Sequence, residues 1–234
     1  MHGEPIPYML QTDWMVTCLI LLSFIAMSWS VKNGKNYLSS HFKSFFVDKK
    51  RSSLFDTTSN VGIQYLFILG IVSCVMGGLY IYSYETSTLP HLTTHIPHYF
   101  LLFSYIGSII LITLFKLVGY SFINWIFFDK SRNQEWMIAY FDLIIFMSFL
   151  LFPIVLSIVY LGMDTEQSQL IILFVLILCK ILLFYKCIRN FYIRIYGFFH
   201  IILYFCALEI LPDLLLINWI DYLNSNLIIK FLVH

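Results

Sequence analysis

The chain has 234 residues, of which 60% are hydrophobic, 19% aromatic and only 12% charged. A water-soluble domain carries about 25% charged residues, roughly twice this share. A soluble domain, a disordered tail and a disulfide scaffold are therefore poor fits, and a mean hydropathy of +0.83 points to a polytopic α-helical membrane protein.

Residues 1–13 carry Glu4 and Asp13 but no Lys or Arg, which argues against a cleaved signal peptide with its basic leader. The first apolar run is residues 14–30. Loop one follows with six cations, Lys32, Lys35, Lys43, Lys49, Lys50 and Arg51, which suit a lipid surface. Within it Tyr37, Leu38, Phe42, Phe45 and Phe46 recur with helical period, while Lys35, Asn36, Ser39, Ser40, Lys43 and Ser44 fill the other face. That pattern predicts a cytoplasmic interfacial amphipathic helix at about 35–47, either a membrane-surface linker or a docking helix for a partner.

The second span is read at 62–84, with Gly77-Gly78 as a small-residue contact. Loop two holds no cation but carries His91, His95 and His98. Their spacing would suit zinc on a helix, yet Pro90 and Pro97 argue against a continuous helix there, so this is a weak metal candidate. The third span is read at 99–121, in a run that stays apolar to Phe128. A break near Gly119 would place Tyr120–Phe128 at the interface, where Trp125, Phe127, Phe128 and Trp136 would form an aromatic belt. Spans four, five and six follow at 136–161, 169–186 and 195–220, and Pro153 and Pro212 predict kinks in spans four and six.

The loop cations alternate. Loops one, three and five hold eleven Lys and Arg, and the opposite side holds Lys230 alone. The positive-inside rule then puts both termini on the periplasmic side of the inner membrane. The net charge of +1 gives no footprint for nucleic acid. The five cysteines form no CxxC pair and read as packed thiols. No Walker loop, HExxH or nucleophile elbow is present, and His200 alone within a span is insufficient for paired haem ligation. No catalytic residue and no cofactor follows from the motifs.

Ionisable residues at membrane depth are costly and are the default candidates for a site. Five qualify: Lys116, Asp142, Lys180, Glu209 and Asp213. Counting at 1.5 Å per residue puts Lys180 and Glu209 at nearly the same depth on consecutive spans, which predicts an ion pair. The same count from the other end of span three predicts that Lys116 either pairs with Asp142 or snorkels to the interface. Asp213 follows Glu209 by four residues, and Cys206 precedes it by three, which predicts one shared helix face. Pro212 leaves the Leu208 carbonyl without its helical donor. These charges serve either as helix-to-helix glue or as an ion, proton or substrate path.

Several segments together resemble a known family. They are Asn124-Trp125-Ile126-Phe127-Phe128 followed by Trp136, then Leu151-Phe152-Pro153, and then Lys180-Ile181-Leu182-Leu183-Phe184-Tyr185-Lys186. The last is His200 followed by Leu203-Tyr204-Phe205-Cys206-Ala207-Leu208-Glu209-Ile210-Leu211-Pro212. They resemble the Bacteroidota membrane family known as domain of unknown function 4271, most specifically in Cys206-x-x-Glu209-x-x-Pro212. The resemblance implies an integral inner-membrane protein of a Gram-negative cell. It carries no established activity.

The expected class is thus an all-α membrane bundle of six spans. The favoured functional expectation is a non-enzymatic accessory or scaffold subunit of a cell-envelope assembly, held in the lipid bilayer with a membrane-protein partner or a second copy. The alternatives are a small transporter or channel using the intramembrane Lys, Glu and Asp residues, and an intramembrane lipid-modifying enzyme.

Overall fold

The computed structural model describes residues 10–46, 60–90, 96–127, 130–191 and 198–232. Among the described residues a 3-10 turn, Leu10–Thr12, precedes seven α-helices. These are α1 (Trp14–Phe46), α2 (Asn60–Thr88), α3 (His98–Phe127), α4 (Lys130–Leu161), α5 (Thr165–Phe191), α6 (Phe198–Phe205) and α7 (Leu211–Leu232). A π-helical segment, Cys206–Ile210, joins α6 to α7. Among the described residues six helical stretches are long and apolar enough to cross a membrane, consistent with a multi-pass membrane protein. Helices are the expected solution, because an apolar run in lipid must satisfy its own backbone polar groups.

Local signals set the ends. The Asp13 carboxylate accepts the Met15 N–H at 3.0 Å and caps α1. Gly162 follows the last residue of α4 with a φ of 63°, a left-handed value that stops the helix without a Cβ clash. Within the spans, Thr86, Ser108 and Ser148 return their hydroxyls to carbonyls three or four residues back, so none needs water.

Helix α2 is central and packs on α1, α3 and α4. Helix α5 packs chiefly on α4 and α6, and α7 packs on α3. The core has two main clusters. One contains Met76, Leu79, Tyr82, Leu101, Tyr105 and Val155. The other gathers Tyr120, Trp136, Tyr140, Leu183, Cys187 and Phe205.

Three expectations about the elements change. First, α3 runs through Gly119 without a break, and Tyr120 and Asn124 are fully buried. Gly119 is instead a point of close approach, where an added Cβ would stand 3.1 Å from Leu208 Cδ2. Second, Trp136 belongs to the core and is fully buried, whereas Trp125 is exposed. Third, residues 35–46 continue α1 and form no separate helix. The observed α4 is likewise one continuous helix with Pro153 inside it. Of the lipid-surface cations, Lys32 and Lys35 are exposed on α1. Lys49, Lys50, Arg51 and the side chain of Lys43 lie outside the described residues. Lys186, counted among the loop-five cations, is buried in α5.

Candidate functional site: an intramembrane ion quartet

The sequence of span six decides the local geometry. Pro212 has no N–H to donate, so the regular helical ladder cannot pass through it. The ladder widens instead, and the Leu211 N–H bonds to the Cys206 carbonyl across a π turn. This turn directs Cys206 and Glu209 differently. Cys206 is exposed and lines an outer groove, while Glu209 is buried and lines an inner cavity. The shared face expected for Cys206, Glu209 and Asp213 is therefore not formed.

Glu209 and Asp213 meet two lysines in a closed ring. Lys116 on α3 donates to Glu209 Oε2 at 3.0 Å and to Asp213 Oδ1 at 2.6 Å. Lys180 on α5 donates to Glu209 Oε2 and pairs with Asp213 Oδ2 at 2.6 Å. Tyr120 adds a hydroxyl to Glu209 Oε1 at 2.7 Å. Two cations face two anions, so the ring is formally neutral. Glu209 accepts three charge-assisted or phenolic hydrogen bonds, and both oxygens of Asp213 are engaged. At membrane depth this pairing is what makes four charges tolerable.

The predicted Lys180–Glu209 pair is present. The predicted Lys116–Asp142 pair is not formed. Lys116 turns to Glu209 and Asp213, and Asp142 is buried on α4 outside the ring. Depth does not exclude Asp142, twelve residues from the α4 start at Lys130, but it brings Lys116 level with the other pair. Lys116 lies eleven residues from the α3 end at Phe127, Lys180 eleven from the α5 end at Phe191, and Glu209 eleven from the α6 start at Phe198. All three thus stand about 16 Å from the same end of the bundle. Counting from the opposite end, with an assumed break at Gly119, hid that coincidence.

The ring is asymmetric in burial. The side chains of Lys116 and Glu209 are 8% and 2% exposed, whereas those of Lys180 and Asp213 are 31% and 39% exposed. On the inner side lies a cavity of about 350 Å³ at the meeting of the two core clusters, bordered by Cys74, Thr113, Tyr140, Leu151 and Leu216. On the outer side lies an apolar groove between α5 and the α6–α7 span, bordered by Ile177, Ile181, Phe184, Ile202, Ile210 and Leu214. Lys180 and Asp213 border both spaces. The exposed half of the ring is therefore a shared wall between the cavity and the lipid-facing groove.

The family model described as Domain of unknown function (DUF4271) matches residues 16–220. The chain belongs to that family. Neither a curated protein nor a solved structure matches it. All four residues of the ring fall within the part that the DUF4271 model covers.

Below the ring, this DUF4271 chain carries an aromatic and amide layer that sequence reasoning missed. The Tyr204 hydroxyl donates to Asn124 Oδ1 at 2.7 Å, and Asn124 donates to Asn133 Oδ1 at 3.3 Å. The rings of Trp136, Tyr140 and Tyr204 surround Tyr120 with centroids 5.1–5.8 Å away. This packing fixes the Tyr120 hydroxyl on Glu209. A signal was available: Lys116, Tyr120 and Asn124 recur every four residues, a polar stripe on one face of an apolar helix.

Of the weak metal candidates, His91 and His95 lie outside the described residues. His98 opens α3, with its Nδ1 3.4 Å from the Tyr82 hydroxyl. Among the described residues no group of three or more His, Cys, Asp or Glu is placed to hold a metal ion.

Proposed function

We propose that this protein is a small transporter of the inner membrane of a Gram-negative bacterium of the Bacteroidota, with both termini periplasmic, and that it handles its ligand at the ion quartet. The observation that supports this most is the position of Lys180 and Asp213 as a common wall of a half-open cavity and a second, apolar groove. A ring that opened on that side would join the two spaces. Lys116, Glu209 and Tyr120 would remain as a sealed base that keeps the helices in place.

One observation favours the reading as a non-enzymatic accessory or scaffold subunit of a cell-envelope assembly. The ring is closed and neutral, as a tie between α3, α5 and α7 would be. That reading predicts a copurifying membrane partner or a second copy in mild detergent. A lipid-modifying enzyme would need an acid open to its substrate. Glu209 is buried with both oxygens occupied, and Asp213, the acid that borders the groove, has each oxygen held by a lysine, which gives that reading less support.

The test is Glu209→Gln, which keeps the shape of the side chain and removes its charge. Expressed in place of the wild-type chain, it should reproduce the defect of a deletion strain. Folded protein, followed by fluorescence-detected size exclusion, should stay at the wild-type level. A variant that lowers the protein level in proportion to the defect would make the quartet a structural tie and end the transporter reading.

A further inference from the structure

We infer that the ligand of the quartet is a membrane phospholipid whose head carries both an ammonium and a phosphate, entering sideways through the groove between α5 and the α6–α7 span. This rests on the reading of the quartet as a ligand site, and it names what the site takes.

Charge balance selects the ligand. The exposed half of the ring consists of one cation, Lys180, and one anion, Asp213, joined at 2.6 Å. An anionic head that took Lys180 would strip Asp213 of one of its two partners. A cationic head that took Asp213 would weaken the hold on Lys180 in the same way. Uncompensated charge at this depth is heavily penalised. A zwitterion avoids both losses, with its phosphate on the Lys180 ammonium and its ammonium on the Asp213 carboxylate. The Lys180–Asp213 contact is then exchanged for two contacts of the same kind, and no net charge enters the membrane. The sealed half is undisturbed, because Glu209 keeps Lys116 and Tyr120.

The groove accounts for the rest of the molecule. Its borders, Ile177 and Ile181 on α5 and Ile202, Ile210 and Leu214 on the opposite span, are apolar and open to the lipid side. Acyl chains can lie there while the head reaches the ring. Helix α5 packs chiefly on α4 and α6, and at this depth the ion pairs bridge its seam towards α7. Exchange of those pairs is what admits the head.

The experiment uses the full chain in detergent, equilibrated with equal amounts of dioleoyl phosphatidylethanolamine, dioleoyl phosphatidylglycerol and dioleoylglycerol. Retained lipid is quantified by mass spectrometry after washing. Phosphatidylethanolamine should be retained over phosphatidylglycerol by about tenfold. Asp213→Asn, which removes the partner of the ammonium and leaves Lys180 in surplus for an anionic head, should abolish the preference. Ile181→Trp, which fills the groove without touching a charge, should abolish it too and guards against misfolding of the first variant. Equal retention of the two phospholipids, or a preference that survives both variants, overturns the proposal. So does displacement of the bound lipid by soluble phosphoethanolamine, because the groove would then play no part. Translocation of acyl-labelled phosphatidylethanolamine in proteoliposomes is read separately. Selective retention without translocation keeps the lipid site and ends the transporter reading. Protein-dependent flux of another probe without retention ends the lipid assignment and keeps the transporter reading.

Discussion

Two buried polar networks hold α7 against the bundle, and they are built differently. Towards the far end, Tyr105 donates to Asn224 Oδ1 at 2.6 Å, and Asn224 donates to Glu85 Oε2 at 3.0 Å. Trp219 adds an indole N–H to Ser108 at 3.1 Å. That network ties α7 to α2 and α3 with a single carboxylate, three residues from the end of α2. The quartet ties α7 to α3 and α5 with four charges near mid-depth. The first network thus ties this helix with one carboxylate where the quartet uses four charges. Four charges placed where they are most costly therefore call for a reason beyond docking.

Several substitutions would sharpen or break that contrast. The largest effect is expected from Glu209→Ala, which leaves Lys116 and Tyr120 facing a void. The cost should be about 3–5 kcal/mol, read as a loss of thermal stability in detergent. Replacing the whole ring by apolar residues (Lys116→Met, Lys180→Met, Glu209→Leu and Asp213→Leu together) should act in the opposite direction. Stability should be unchanged or higher by about 1–4 kcal/mol, while the cellular function is lost. A quadruple variant that is both stable and functional would reduce the quartet to docking and remove the contrast.

Next in size is Gly78→Ala. An added Cβ would lie 2.7 Å from Ile106 Cα, so backbone must move where α2 crosses α3, at an expected cost of about 1–3 kcal/mol. Its neighbour Gly77 meets only ordinary contacts, the nearest at 3.7 Å, and Gly77→Ala should leave the melting temperature unchanged or raise it. The smallest effect belongs to the neutral network. Tyr105→Phe should cost about 0.6 kcal/mol, the average for a polar contact between membrane helices. A loss as large as that of Glu209→Ala would show that the two networks are equivalent.

The six spans were legible because run length and alternating loop cations are one-dimensional signals. The Lys180–Glu209 pair was legible because two neighbouring spans give depth by counting. Lys116 was misassigned because a glycine in an apolar run looks like a break, and Gly119 is instead where Leu208 comes close. Trp136 reads as part of an interfacial belt because aromatic residues near a span end have the same spacing whether they face lipid or a neighbour. Pro212 announced an interrupted ladder, but only the structure shows that the ladder widens rather than bends open. The cavity and the groove had no signal in the sequence, since they arise from how α5 and α7 diverge.

The π segment also acts as a phase setting. Each residue advances a helix by about 100°, so one residue more or less in the regular turns of α6, outside the π turn, would rotate all of α7 by about that angle relative to the start of α6. Asp213 would leave the lysines, and Asn224 would leave Tyr105 and Glu85, in a single step. Both networks are indexed by the same five residues, Cys206–Ile210. A one-residue deletion in α6 is therefore a more severe lesion than any side-chain change in either network, whereas one inside Cys206–Ile210 is absorbed as the π turn tightens to an α turn. Two compensating length changes on either side of Pro212 would be needed to restore the screw.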